Sequence, residues 1–142
     1  LDTIEFRGET TVVVKKEDIV AVCAFLKEEL GFNFLTDLCG VDYMGQDPRF
    51  MVVYHLYNIG AHARLRIKAP VEESDARIDT VSGVWTTANW MERETWDLMG
   101  ITFNNHPDPR RILMPDDWEG HPLRKDYPVQ GPDREPYQDR LE

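Results

Sequence analysis

The stretch that most constrains the fold of this chain is residues 85–100, which combines a helical pattern with a charge on its apolar side. At about 100° per residue, a helix over this range places its apolar side chains on one broad face. That face contains Trp85, Ala88, Met91, Thr95, Trp96, Leu98 and Met99. Glu92 falls in the middle of it, where an unpaired carboxylate is costly. The pattern predicts an amphipathic helix that ends at Gly100 and requires a partner for Glu92.

The opposite side of this predicted helix is polar, with one exception. It carries Asn89, Arg93, Glu94 and Asp97. Trp90 lies beside Glu94 on the same side, although a tryptophan side chain is usually well buried. A charge on the apolar side and an aromatic residue on the polar side together indicate a helix that is contacted on both sides.

After Gly100 the sequence changes character. Seven of the nine prolines lie there, which excludes a long helix or a central strand. The same part carries spaced apolar residues: Ile101, Phe103, Ile112, Leu113, Trp118, Leu123 and Tyr127. A disordered tail carries few such residues, so we expect an extended arm over residues 101–142 that docks along a surface, its own or a partner's. Four basic residues of this arm are candidate partners for Glu92: Arg110, Arg111, Arg124 and Lys125.

The first hundred residues carry the periodicities of an α+β domain. An apolar helical repeat predicts a first helix over residues 17–30, with Gly31 as its C-terminal cap. Short apolar or β-branched runs predict strands at 9–14, 32–43, 50–57 and 61–68. The first run is expected to be the first or an edge strand, and the third a central strand covered on both faces. The last run alternates, with His62, Arg64, Arg66 and Lys68 on one side, which is typical of a solvated face.

Composition limits the class of protein. The chain has 142 residues, a size typical of one domain, and a formal net charge of −10. Both residues 1–91 and residues 92–142 are acidic, which argues against binding to nucleic acid or to anionic lipid. No apolar run approaches the length of a membrane-spanning helix. Cys23 and Cys39 stand at apolar positions and are expected to be buried, reduced thiols.

Motifs of known active sites are almost absent from the sequence. It has no phosphate-binding glycine loop and no dinucleotide fingerprint, and its two cysteines are too few to ligate an iron–sulfur cluster. Two alternatives remain open. His106 and His121 with Asp116 or Asp117 could hold zinc, and the same aspartates with His121 could serve a small hydrolase.

The motifs after residue 91 closely resemble one known family. They read ERE at 92–94, WDLMGI at 96–101, HPD at 106–108, RRIL at 110–113 and GHPLRKDYP at 120–128. This run resembles the C subunit of proton-pumping NADH:quinone oxidoreductase, or complex I, a hydrophilic subunit that also occurs in mitochondria and, as a homologue, in the chloroplast NDH complex. The chain departs from the family pattern at Met99, Asn105, where the family often has glycine, and Pro109, which concerns local turn geometry.

The resemblance implies an α+β fold, namely a two-layer domain with a mixed β-sheet and two main helices over residues 1–100, followed by the extended, proline-rich arm, which docks on neighbouring subunits. The residues expected to make subunit contacts or to carry the motif are Trp90, Glu92, Arg93, Glu94, Asp97, His106, Arg110, Arg111, Gly120, His121, Arg124, Lys125 and Asp126. Glu92 is expected to pair with Arg110 or Arg111, within the chain or at an interface. The alternative for Glu92 is a carboxylate at the edge of the apolar face that reaches solvent.

The resemblance also implies a function. It indicates a non-catalytic scaffold subunit of the peripheral arm of complex I, which supports electron transfer from NADH to quinone coupled to proton pumping. This chain would bind no cofactor, while the complex holds FMN, iron–sulfur clusters, NADH and quinone. Subunits D and B are the expected partners, in a hetero-oligomer held at the cytoplasmic face of the bacterial inner membrane without inserting into it. The alternative is the equivalent subunit of a membrane-bound hydrogenase, a ferredoxin- or F420-dependent complex, or plastid NDH.

Overall fold

A mixed sheet of five strands forms the centre of the molecule. The computed structural model of the chain describes residues 2–131. The strands lie in the order β1-β2-β5-β4-β3, with β2 and β5 parallel and all other neighbours antiparallel. Their bounds are β1 Asp2–Phe6, β2 Glu9–Val13, β3 Phe34–Asp42, β4 Phe50–Asn58 and β5 Ala63–Val71. A small parallel pair, β6 Arg77–Asp79 and β7 Thr102–Asn104, stands apart from this sheet.

Two helices, α1 Ile19–Glu28 and α2 Ala88–Met99, cover one face of the sheet. The side chains of β4 that point towards them are Phe50, Val52, Tyr54 and Leu56, all at most 1% exposed. The predicted fold class, α+β with a mixed sheet and two main helices, is therefore confirmed. The prediction that β4 is covered on both faces is wrong, because both helices lie on the same side of the sheet. On the other side of β4, His55 and Tyr57 are only half-buried.

Most predicted elements occur with shifted ends. The run at 9–14 forms strand β2 over Glu9–Val13, but it is neither the first strand nor an edge strand, because β1 precedes it and occupies the edge of the sheet. Helix α1 begins two residues later than predicted, after a 3-10 turn over Lys16–Asp18. Cys23 lies in the core, where burial raises the pKa of its thiol to about 12, whereas Cys39 is only half-buried; both thiols are free.

Helix α2 begins at Ala88 rather than at Trp85, because residues 81–85 form a separate turn that is closed by the bond from the Trp85 N–H to the Val81 carbonyl (2.9 Å). It ends at Gly100, as predicted, in a left-handed conformation with a φ of 73°. The twelve residues of α2 are the longest helix between residues 2 and 131, and no helix in that part of the chain could cross a membrane.

Candidate functional site

The motifs singled out in the sequence meet around the C-terminal half of α2. Residues 106–127 of the arm lie along the side of the helix that the sequence marks as polar, and they bond to it through main-chain and side-chain groups. Arg93 and Asp97 on that side are consequently buried, not solvent-facing. The arm thus covers the second side of α2, as we predicted from the positions of Trp90 and Glu92.

Asp97 is the centre of this arrangement. Its Oδ2 atom accepts hydrogen bonds from three consecutive backbone N–H groups of the arm, those of Ile112, Leu113 and Met114, at 3.1, 2.8 and 2.9 Å. Its Oδ1 atom pairs with the Arg111 guanidinium. Burial alone would raise the pKa of Asp97, but these donors outweigh it and hold the pKa below its usual range. Asp97 therefore remains an anion and anchors the arm.

Arg111 joins the same site to the next turn of the arm. Besides Asp97, it donates from Nη2 to the carbonyl oxygens of Trp118 (2.8 Å) and Gly120 (3.3 Å). Its guanidinium carbon lies 5.5 Å from the ring centroid of Trp96, a distance at which a cation is attracted by an aromatic face. One arginine thus closes the loop of residues 111–120 onto the helix.

The GHPLR segment caps the C-terminal end of α2. His121 Nδ1 donates to the Asp97 carbonyl (3.0 Å), the Leu123 N–H to the Leu98 carbonyl (2.9 Å) and Arg124 Nε to the Met99 carbonyl (2.7 Å). The last carbonyls of a helix have no partner within it, and the negative end of the helix dipole favours a cation such as Arg124. Because the segment lies so close, a Cβ atom on Gly100 would come within 2.5 Å of His121.

The first part of the arm is held by Arg93 and His106. Arg93 donates to the carbonyl oxygens of Arg110 (3.0 Å) and Arg111 (2.9 Å), while Arg110 itself pairs with Asp108. His106 lies between the Asn89 carbonyl, 3.0 Å from Nε2, and the Asp108 N–H, 3.0 Å from Nδ1. A neutral imidazole with its proton on Nε2 satisfies both bonds.

Glu92 is fully buried, but its partners are not the predicted ones. Its carboxyl group accepts from the Val81 N–H at 2.7 Å and lies in hydrogen-bond contact with the Thr80 hydroxyl. His106 Nε2 of the arm lies 3.6 Å from Glu92 Oε2. No arginine of the described residues pairs with it, since Arg110 and Arg111 are bonded to Asp108 and Asp97. The predicted ion pair and the alternative of a solvent-reaching carboxylate are both wrong, because the turn before α2 folds back over the helix and supplies neutral donors.

Burial raises the pKa of Glu92 to about 7, and the hydrogen bonds from Thr80 and Val81 lower it only in part. The geometry fits a protonated carboxyl group. The single hydroxyl hydrogen of Thr80 has two oxygen neighbours, Glu92 and Ser82 Oγ, the latter at 2.9 Å. A protonated Glu92 can donate to Thr80, which then donates to Ser82, so that each hydrogen has one acceptor.

Glu92→Gln is expected to remove a pH dependence of stability. The folded chain holds a proton on Glu92 up to a pKa of about 7, whereas an unfolded glutamate loses it near 4.5. Folding therefore binds a proton at any pH between about 4.5 and 7. As the pH rises through this range, the free energy of unfolding of the wild type falls by about 3 kcal/mol relative to that of the variant. Urea unfolding of both chains at pH 5 and pH 8 measures this difference. Equal changes in the two chains would contradict it.

A second buried arginine, which the sequence did not reveal, fastens residues 125 and 126 of the arm to the sheet. Arg49 binds both oxygens of Asp42 at 2.9 Å and pairs with Asp126 at 2.9 Å and with Glu73. The Asp42 carboxylate also accepts from the Lys125 N–H at 2.9 Å. Contact with Arg49 lowers the pKa of Asp42 to about 2. A sign was present in the sequence, because Asp42 and Arg49 are charges that directly flank apolar strand residues.

The remaining motif residues are exposed, although several of them also bond within the chain. Trp90 is 68% exposed, and the other exposed members of the predicted set are Glu94, Arg110, Gly120, Lys125 and Asp126. Asp116 and Asp117 are exposed, and the rings of His106 and His121 are each bonded to a main-chain carbonyl of α2. No group of three or more potential metal ligands occurs among residues 2–131. The site is thus an internal clasp between arm and helix, with a small set of exposed residues on its outer surface.

Comparison with known proteins gives consistent matches over nearly the whole chain. Residues 12–133 match the family model described as the 30 kDa subunit of respiratory-chain NADH dehydrogenase. The chain is 71% identical over 141 residues to the C subunit of NADH-quinone oxidoreductase from Geotalea uraniireducens, covering 99% of this chain and 86% of the relative. It is 66% identical to the protein of the same name from Geobacter metallireducens, over 99% of this chain and 88% of the relative.

Two solved structures have a similar fold. The trypsin-resistant fragment of Nqo5 is 39% identical, with a TM-score of 0.67 over 71% of this chain and 83% of the fragment. A chain of the membrane-bound sulfane sulfur reductase, an archaeal respiratory membrane complex, has a TM-score of 0.78 over 90% of this chain and 77% of its own length. At 24% identity, the second match shows a shared fold alone.

Proposed function

The chain belongs to the family of the 30 kDa subunit of respiratory-chain NADH dehydrogenase, and we propose on this basis that it acts as a rigid scaffold for neighbouring subunits. It is a subunit of NADH-quinone oxidoreductase, complex I, and stands in the peripheral arm of that oxidoreductase complex. The observation that supports a scaffold role is the clasp around Asp97, which fixes residues 106–127 of the arm, a segment without helix or strand, to the end of α2. Because the arm is already fixed, its outer surface loses little conformational entropy when a partner binds to it.

The proposed partners are subunits D and B of the complex. The residues available to contact them are the exposed part of the motif: Trp90, Glu94, Arg110, Gly120, Lys125 and Asp126. The inward-facing part, which includes Arg93, Asp97 and His121, acts by shaping this surface and does not itself touch a neighbour. In this proposal residues 101–142 form the docking arm and residues 1–100 the core, and residues 132–142 of the arm lie outside the described residues.

The proposal assigns the redox groups to other subunits. The iron–sulfur clusters would be bound elsewhere in the complex, because the chain has only two thiols, those of Cys23 and Cys39, and a cluster takes about four. FMN would likewise be bound by other subunits. Cys23 is buried with a strongly raised pKa, which disfavours the thiolate that a metal requires. The chain would be held at the cytoplasmic face of the bacterial inner membrane by its neighbours.

Purification of the complex from native membranes through a tag on this chain tests the proposal. In mild detergent we expect mass spectrometry to find subunits D and B with the NADH-oxidising subunits, and the preparation to reduce quinone with NADH. Trp90→Asp is expected to lower recovery of the partners about tenfold, as for an aromatic residue at the centre of an interface. Phe25→Asp, at an exposed position on α1, is the matched control. Recovery of the tagged chain alone would overturn the proposal.

A further inference from the structure

Two of the spaced apolar residues of the arm, both leucines, remain exposed although the others of that set are covered; Val129, further along the arm, is exposed as well. Among the spaced apolar residues of the arm, Ile101 and Phe103 are buried, and Ile112, Trp118 and Tyr127 are half-buried against the chain itself. Leu113 and Leu123 are 61% and 59% exposed. These two side chains therefore have the character of anchors that no part of residues 2–131 covers.

Both leucines are held in place through their main chain. The Leu113 N–H donates to Asp97 Oδ2 at 2.8 Å, and the Leu123 N–H donates to the Leu98 carbonyl at 2.9 Å. These acceptors belong to consecutive residues of α2, so the backbones of both leucines are fixed near the C-terminal end of this helix. Apolar side chains presented on a fixed backbone lose little conformational entropy when a partner covers them.

The loop between the leucines is acidic on its outside. Asp116 and Glu119 are exposed there. Arg111 and Arg124, the cations nearest the helix end, are half-buried and bonded to Asp97 and to main-chain carbonyls. The outer surface of this loop thus combines two fixed apolar side chains with negative charge, and charge complementarity would select a partner that is positively charged around an apolar contact.

We propose that Leu113, Leu123 and the acidic loop between them form a docking surface for a neighbouring subunit of the complex that offers an apolar recess with lysine or arginine side chains at its rim. This inference rests on the proposed function, because it requires the chain to stand among other subunits. It adds Leu113, Leu123 and the acidic loop to the contact residues named under that proposal, and it states the chemistry of the partner surface.

Site-specific photocrosslinking in the purified, tagged complex tests this proposal. Leu113 or Leu123 is replaced by benzoylphenylalanine, and Ile59 serves as the control. Ile59 is 53% exposed and follows the C-terminal end of β4, whereas the arm is fastened to Arg49, which precedes the N-terminal end of the same strand. We expect positions 113 and 123 to crosslink to one and the same subunit, at a peptide that contains lysine or arginine, and position 59 not to crosslink to that subunit.

A second pair of variants separates the apolar contribution from the charge. Leu113→Ser/Leu123→Ser is expected to lower recovery of the crosslinked subunit about tenfold with an unchanged melting temperature of the chain. Asp116→Asn/Glu119→Gln is expected to make the retention of that subunit less sensitive to salt. An intact complex in which neither position 113 nor 123 crosslinks to another subunit would overturn this inference alone. Recovery of the wild-type chain without any partner would instead overturn the proposed function.

Discussion

Asp97→Ala is expected to lower the free energy of unfolding by about 4 kcal/mol, the range observed when one partner of a buried ion pair is removed. Three backbone N–H groups of the arm lose their acceptor, and the largely buried Arg111 guanidinium loses its counter-ion. Each unsatisfied buried donor has a desolvation cost of its own. The arm supplies all four donors, so a rearrangement within α2 alone cannot restore these hydrogen bonds.

Urea unfolding of the full chain at pH 7 measures this loss. Glu94→Ala is the matched control, since Glu94 is an exposed acidic residue on the same helix, and it is expected to change the free energy of unfolding by less than about 0.5 kcal/mol. The pKa of Asp97 is lowered in the folded chain, so its contribution is present above the pKa of an unfolded aspartate and is lost as the pH falls below it. The difference between wild type and Asp97→Ala should therefore shrink in acid. Equal losses for the two variants would contradict the role assigned to Asp97.

Periodicity predicted the elements whose environment has only two sides. The apolar side of helix α2 and the alternating strand β5 follow from a contrast between the apolar core and polar surroundings, which a repeat of 3.6 or 2 residues reports directly, and the glycine at position 100 marks the end of the helix. Asn105 could also be interpreted from the sequence. It has a φ of 59°, a conformation that suits the glycine found there in the family and that asparagine tolerates better than most residues.

Periodicity failed where a third layer covers the helix. The arm has no repeat of its own, and nothing in the spacing of Arg93 and Asp97 distinguishes a polar side that faces water from one that faces polar groups of the arm. The partners of Glu92 were missed for a related reason. A hydroxyl group and a main-chain N–H of residues 80 and 81 satisfy it, and main-chain donors leave no trace in a sequence.

The contact of Arg49 with Asp126 spans 77 residues, a separation at which composition and spacing carry no information.

The ion pair between Arg49 and Asp42 gives the second large expected effect. Arg49→Met should lower the free energy of unfolding at pH 7 by about 4 kcal/mol, because it leaves Asp42, whose side chain is 1% exposed, as a buried anion without its cation. Arg77→Met removes an exposed cation and is expected to have little effect.

The double variant Arg49→Met/Asp42→Asn distinguishes a buried ion pair from simple loss of packing. Neutralising both partners removes the uncompensated charge, while the amide oxygen introduced at position 42 remains an acceptor for the Lys125 N–H, so the double variant should be more stable than Arg49→Met alone. The folded pKa of Asp42 is about 2 against an ordinary 3.8, so the contribution of the pair is present above about pH 4 and disappears as the pH falls towards 2. Hydrogen exchange at the Lys125 amide, which bonds Asp42, should accelerate in Arg49→Met if this pair fastens the arm. An amide that stays protected while global stability falls would show instead that Arg49 stabilises the β3–β4 connection and leaves the arm in place.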